Sequence, residues 1–63
     1  MEKRLMELID KKFITYEELE EIELMPYITV QYNGYSGNFI GYYWATVVDM
    51  EKEEYDIYFK IEE

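Results

Sequence analysis

The chain of 63 residues contains no cysteine and no histidine. A disulfide is therefore excluded, and a structural zinc site lacks its usual ligands. A domain this short buries only about 60% of the surface that its unfolded chain exposes, so its core alone supplies little stability. Because neither a disulfide nor a structural zinc site is available, the sequence predicts that the protein gains stability by oligomerisation, as a homodimer.

Long hydrophobic runs are also missing, since polar residues interrupt every apolar stretch well short of the length of a bilayer span. No segment resembles a signal peptide. The chain begins at Met1, and we interpret it as one complete small domain, residues 1 to 63, in the cytoplasm of a bacterial cell. Residue types with AT-rich codons, such as Tyr, Ile, Lys and Met, far outnumber Gly, Ala, Arg and Pro. This bias is typical of a low-GC genome and favours a bacteriophage or mobile-element origin.

Basic residues are scarce: six Lys and Arg oppose 15 Asp and Glu, which gives a net charge of −9. Neither Lys nor Arg occurs between Lys12 and Lys52. A field of this sign repels nucleic acid and anionic membranes, and it steers the protein towards basic surfaces. We therefore expect a protein partner with a basic surface, without direct nucleic-acid or membrane binding.

The N-terminal part of the chain has helical periodicity. Leu5, Leu8 and Ile9 recur at three- and four-residue intervals and predict a helix from about residue 2 to 12. Thr15 and Glu18 then have the spacing of a capping box, which predicts the start of a second helix that ends before Pro26. The stretch from residue 5 to 19 resembles the opening of several winged-helix domains and of bacterial sigma-factor region 1.1. Those families continue with further helices, whereas this chain turns to strands, so the resemblance implies no function.

From Tyr27 onwards the hydrophobic period becomes two, which predicts strands at about 27 to 32, 39 to 48 and 55 to 61. Asn33-Gly34 is a type I′ hairpin signal, with a looser loop that extends over residues 35 to 38 as the alternative. Residues 50 to 54 form the other turn. The predicted fold is α+β, with a helical hairpin over residues 1 to 25 and a three-stranded antiparallel β-meander over 26 to 63, the helices lying on one face (ααβββ). Its first and last strands are the open edges. The residues predicted to face the helices are Ile28, Val30, Tyr32, Phe39, Tyr43, Ala45, Val47, Tyr55, Ile57, Phe59 and Ile61.

The same alternation predicts a second apolar face, which nothing in the chain is left to cover. Large exposed apolar patches mark interaction sites, and Trp and Tyr dominate interface energetics. An alternative interpretation is that Trp44 belongs to the core. The predicted partner-binding or dimer-binding residues on this face are Ile40, Tyr42, Trp44, Val48 and Tyr58.

Catalytic signals are weak. Ser36 has no histidine to activate it, and the three glycines do not precede the lysine and helix start that a phosphate loop needs. Asp49, Glu51 and Glu53 alternate as a calcium loop begins, but Glu54 replaces the required glycine. We predict that the protein is not an enzyme and has no cofactor, catalytic residue or metal site.

The sequence thus favours a small inhibitor that blocks a host defence or nucleic-acid-handling protein by presenting an acidic, DNA-mimicking surface. The alternative is a homodimeric adaptor that binds a protein through the Trp- and Tyr-rich face without mimicry. Nucleic-acid stacking lacks the required basic track, and carbohydrate binding is a minor option. The acidic residues predicted to bind the partner are Glu17, Glu18, Glu20, Glu21, Glu23, Asp49, Glu51, Glu53 and Glu54.

Overall fold

A computed structural model describes residues 3–60 and contains two helices and one sheet of four strands. The helices are α1 (Lys3–Lys11) and α2 (Tyr16–Glu23). The strands are β1 (Phe13–Ile14), β2 (Thr29–Tyr35), β3 (Tyr43–Val48) and β4 (Glu54–Phe59). The α+β class is confirmed, and both helices begin and end close to their predicted limits. The predicted first residue of α1, Glu2, and the predicted end of the last strand, Ile61, lie outside the described residues.

Helix α2 begins at the predicted capping box. The backbone N–H of Glu18 donates to Thr15 Oγ1 at 3.1 Å, and the Thr15 N–H donates to Glu18 Oε1 at 2.9 Å. These two bonds satisfy backbone groups that a helix start would otherwise leave unpaired. The local sequence therefore determines where this helix starts, independently of its tertiary contacts.

The sheet has the order β1-β4-β3-β2, and the prediction of three purely antiparallel strands is wrong in one element. The segment between the helices is extended, and β1 pairs in parallel with β4, so that Phe13 lies beside Tyr58 and Ile14 beside Phe59. The backbone N–H of Tyr58 also donates to the carbonyl of Lys12 at 2.8 Å. The last strand is consequently an internal strand rather than an open edge, and the edges are β1 and β2.

The predicted tight turn at Asn33-Gly34 is also wrong. Strand β2 runs on to Tyr35, and its register against β3 shifts between Tyr32 and Gly34, where Gly34 has a φ of 89°. This is a β-bulge, in which a glycine adopts the left-handed conformation that a side chain disfavours. The Asn33 side chain donates to Thr46 Oγ1 at 2.9 Å and fixes the bulge to β3. The turn itself is a longer loop, residues 36–42.

The core lies between the helices and one face of the sheet, and the predicted alternation is confirmed along β3 and β4. The fully buried helix residues include Leu5 and Leu19. The buried strand residues that pack with them are Ile14, Ala45, Val47, Ile57 and Phe59. The prediction is wrong for Phe39, which lies in the 36–42 loop and contacts rings on the other face. Ile61 lies outside the described residues.

The turn between β3 and β4 is organised by Asp49. Its carboxylate is buried and accepts the backbone N–H groups of Glu51 and Glu53, both at 2.9 Å. Lys52 occupies the left-handed region with a φ of 69°, and its N–H donates to the Asp49 carbonyl at 3.1 Å. The turn, residues 49–53, thus places a lysine in a left-handed position where glycine is usual.

Candidate functional surface

Two of the predicted partner-binding carboxylates join the helices to each other. Glu18 accepts two bonds from Lys11 Nζ, at 2.6 and 2.9 Å, and Glu21 accepts Arg4 Nε at 2.6 Å and Arg4 Nη2 at 3.1 Å. The bond from Lys11 lowers the pKa of Glu18, and the bond from Arg4 lowers the pKa of Glu21. These carboxylates face α1, so most of their hydrogen-bonding capacity is used within the protein.

Asp49 is a third acidic residue with an internal role. It is only 7% exposed, and its carboxylate accepts two backbone N–H groups of the β3–β4 turn. It also contacts Tyr55, whose pKa is raised by burial first and by the charge of Asp49 second. Asp49 therefore shapes the turn on which the exposed Glu51, Glu53 and Glu54 lie. The sequence interpretation that placed it on the partner-binding surface overlooked its burial.

The opposite flank of α2 carries the exposed acidic residues that lie next to aromatic rings. Tyr16, Glu20 and Glu23 follow each other at four- and three-residue intervals, which places them on one side of the helix. The hydroxyl of Tyr32, in β2, donates to Glu23 Oε2. Burial raises the pKa of Tyr32, and this hydrogen bond and the charges of Glu23 and Glu20 raise it further. Helix α2 and strand β2 thus form a continuous surface.

Tyr35 extends that surface along β2. Its ring stacks on Tyr43, with centroids 4.5 Å apart and planes at 22°. Tyr43 in turn stacks on Phe59 of the core at 6.0 Å. The exposed fractions of Tyr16, Tyr32 and Tyr35 are 42%, 51% and 73%, so these rings are supported by the core and still reach solvent. We call the set of Tyr16, Glu20, Glu23, Tyr32 and Tyr35 the α2–β2 surface.

Four basic side chains contact parts of the protein that lie away from the α2–β2 surface. Arg4 and Lys11 bind the flank of α2 that faces α1. Lys12 and Lys60 lie over the rings of Tyr58 and Tyr42, at 5.9 and 4.8 Å from the centroids. Positive charge is therefore concentrated around α1 and the β1 edge, which leaves the α2–β2 surface negative.

Trp44, Val48 and Tyr58 of the predicted aromatic site lie on the sheet face away from the helices. Ile40 and Tyr42 were predicted to lie on the strand, but they lie in the 36–42 loop. The chain itself covers part of this face. The ring of Phe39 in the 36–42 loop lies 4.8 Å from Tyr58 and 4.9 Å from Phe13, and Phe13 lies 5.2 Å from Tyr42. Tyr58 is only 9% exposed as a result. The expectation that nothing in the chain covers this face was wrong, because the turn is longer than two residues and β1 brings a further ring.

The other residues of the predicted aromatic site differ in accessibility. Trp44 and Val48 are half-buried on β3, and Trp44 lies beside Tyr58 of β4. Ile40 is 100% exposed in the 36–42 loop. Trp44 and Asp56 line a shallow depression with the 36–38 segment of that loop. This face therefore offers one fully exposed apolar side chain and one partly exposed indole.

The sequence did not identify Tyr16 and Tyr35 as site residues. A signal for Tyr16 was present, since it lies four residues before Glu20 and seven before Glu23 on a capped helix. Tyr35 was hidden because Asn33-Gly34 indicated a turn, which would have ended the strand before it. The contact between Glu23 and Tyr32, by contrast, depends on how α2 packs on β2.

Within residues 3–60, the structure contains no group of three or more acidic residues arranged to hold a metal ion. Neither described helix has the length and apolar character needed to cross a membrane. No family model matches this chain, and searches of curated proteins and of solved structures gave no significant match.

Proposed function

We propose that this protein is a small acidic binding module that engages a basic protein surface through the α2–β2 surface. The observation that carries the proposal is that two exposed tyrosines lie beside acidic residues on the flank of α2 opposite its ion pairs. Tyr16 lies one helical turn from Glu20, and Tyr32 donates to Glu23. Tyr35 lies further along β2. Tyrosine contributes a large rigid contact area, and it accepts Lys and Arg over its ring. Carboxylates beside it attract the same cations and accelerate association.

In this proposal, the partner is a protein that handles nucleic acid, and the module inhibits it by occupying the basic channel where the phosphates bind. Such channels carry rows of Lys and Arg. The net charge of −9 and the exposed Glu17, Glu20, Glu51, Glu53 and Glu54 support this form of inhibition. A bacteriophage or mobile-element gene that counteracts a host defence system fits both the charge and the composition, and the protein then acts in the cytoplasm of the bacterial host.

The alternative is a homodimeric adaptor that uses the sheet face away from the helices. The full exposure of Ile40, in the loop that leads into β3, and the partial exposure of Trp44 on that strand support it. Large apolar side chains in open solvent are typical of interaction sites when they adjoin other apolar surface. This candidate requires neither the acidic residues nor a basic partner, so salt distinguishes it from the first.

The experiment compares immobilised variants exposed to lysate from a low-GC bacterium and eluted with a rising salt gradient. Glu20→Lys reverses one charge on the α2–β2 surface, and Asp10→Lys makes the same change at an exposed position of α1. We expect the wild type and Asp10→Lys to retain a nucleic-acid-handling protein that elutes as salt rises. We expect Glu20→Lys not to retain it. Equal retention on both variants would contradict the proposal.

The adaptor is tested by Ile40→Glu in the same experiment. Because Ile40 is fully exposed, this substitution leaves the core contacts unchanged. A partner that resists salt and is lost only from the Ile40→Glu column supports the adaptor. Loss of dimer mass in sedimentation of the same variant would show that the face joins two copies.

A further inference from the structure

We infer that the open edge of β2 binds an extended basic segment of the partner as an additional strand of the sheet. The inference rests on the proposed function, because it uses the same acidic flank of α2, and it specifies how the partner is held. Strand β2 is the last in the sheet order and pairs with β3 on one side. Its seven residues, Thr29–Tyr35, include no charged residue and no proline.

Open edges of this kind are uncommon, because proteins usually protect them with charges, proline or a covering segment. The bulge between Tyr32 and Gly34 disturbs one end of β2, which leaves Thr29–Tyr32 as the regular part of the edge. The other sheet edge is β1, which has only two residues and continues directly into α2. Strand addition is therefore specific to β2.

The charges next to this edge select the occupant. Alternate side chains of an added strand would project to the helix side of the sheet. There they would meet Tyr32, which is hydrogen-bonded to Glu23 and also lies within the field of Glu20. Lys or Arg at these alternate positions could contact a carboxylate or a tyrosine ring. The chemistry thus favours a strand with basic residues at every second position.

A second copy of the chain is the competing occupant, and electrostatics disfavours it. If β2 paired in an antiparallel manner with β2 of a second copy, a two-fold axis perpendicular to the sheet would relate the two chains. Both α2 helices would then lie on the same side of the joined sheet. The two acidic flanks would then approach each other across the joined edges, in a pair of chains that each carry a charge of −9. Like charges at such a contact are destabilising, most strongly at low salt.

The test uses two synthetic peptides of about eight residues, a usual strand length. Both alternate Lys with Val, and the second is N-methylated on alternate residues of one edge, which removes those backbone donors and leaves the charge unchanged. Binding is followed by calorimetry and by hydrogen exchange of the β2 amides at low salt. We expect the first peptide to bind and to protect amides of Thr29–Tyr32, the regular part of the edge. We expect both N-methylation and Glu20→Lys to weaken binding about tenfold, whereas Asp10→Lys leaves it nearly unchanged.

Three outcomes would overturn the inference. Equal affinity for the two peptides would mean that charge alone attracts them, so strand addition fails while the acidic binding module stands. If neither peptide binds, the inference is also rejected. The lysate experiment with Glu20→Lys then tests the proposed function separately. Concentration-dependent protection of β2 amides without peptide, together with dimer mass in sedimentation, would identify a second copy as the occupant.

Discussion

The carboxylate of Glu18 is bound within the fold, which distinguishes it from the proposed binding surface, and replacing it tests this distinction. Glu18 closes the capping box with the Thr15 N–H, binds Lys11 at 2.6 Å and lies 3.6 Å from Arg4. Its side chain is only 15% exposed. Glu18→Ala removes all of these interactions, whereas Glu18→Gln keeps an oxygen for the Thr15 N–H and removes the charge.

The magnitudes follow from the individual contacts of Glu18. A hydrogen bond of this kind contributes roughly 0.5–1.5 kcal/mol. An ion pair with an exposed lysine contributes about 0.2–1 kcal/mol, and a negative charge in the first turn of a helix contributes about 0.3–1 kcal/mol. We therefore expect Glu18→Ala to lower the free energy of unfolding by about 2 kcal/mol, and Glu18→Gln by about 1 kcal/mol. In a domain of this size each kcal/mol lowers Tm by about 4–8 °C.

The dependence on pH identifies the charge as the cause. The pKa of Glu18 is lowered in the folded protein, chiefly by Lys11 and then by the Thr15 N–H. Its ionic contribution is therefore fully present above the unfolded pKa, about 4.3, and is lost as pH falls through the lower folded pKa. The difference between wild type and Glu18→Gln should be largest near neutral pH and should vanish at strongly acidic pH.

Urea unfolding at several pH values, followed by far-ultraviolet circular dichroism, measures these differences. The matched control is Glu17→Gln, which removes the neighbouring charge at an exposed position of the same first helical turn. We expect that control to lower stability much less than Glu18→Gln. Equal effects of the two substitutions, or a Glu18→Gln deficit that persists unchanged in acid, would refute the assignment of Glu18 to the fold.

Three further predictions concern the turn and the aromatic cluster. Lys52→Gly should raise the free energy of unfolding in urea by about 1 kcal/mol, because Lys52 has a φ of 69° in the turn; a loss of stability would contradict this conformation. Asp49→Asn should lower the pKa of Tyr55 towards its usual value in an absorbance titration of the phenol, since the charge of Asp49 contributes to its rise after burial; an unchanged pKa would contradict this contribution of Asp49. Phe13→Ala should lower stability by about 2 kcal/mol and change the near-ultraviolet circular dichroism, because Phe13 stacks on Tyr58 at 5.4 Å and is only 37% exposed. A stable variant with an unchanged spectrum would exclude this contribution.

The proposed binding surface combines acidic residues that the sequence analysis had selected with tyrosines that it had placed in the core or had not selected. The predicted acidic set contained Glu20 and Glu23, but also Glu18 and Asp49, which have internal roles. Composition cannot distinguish these carboxylates, because each is an acidic residue in an acidic region. Whether a carboxylate is available depends on whether a cation or a backbone N–H lies next to it in the folded chain.

Local sequence by itself determined the helices and the sides of β3 and β4 that face them. The capping box at Thr15 acts within four residues, so it positions α2 without help from tertiary contacts. The side chains of a strand alternate strictly, so Ala45 and Val47 share a face with Ile57 and Phe59 once both strands pair in register. These features are short-range or periodic, and one sequence is sufficient to predict them.

Tertiary structure decided the features that depend on distant partners. Phe13–Ile14 is too short to be recognised as a strand, and it becomes one because β4, more than forty positions later, provides a parallel edge. Asn33-Gly34 has the composition of a turn, but pairing with β3 continues past it, so the same dipeptide forms a bulge. The α2–β2 surface has the same origin, because Glu23 and Tyr32 meet only when the helix packs across the sheet. Sequence patterns describe what each segment favours, and the packing of segments determines which of their side chains remain available to a partner.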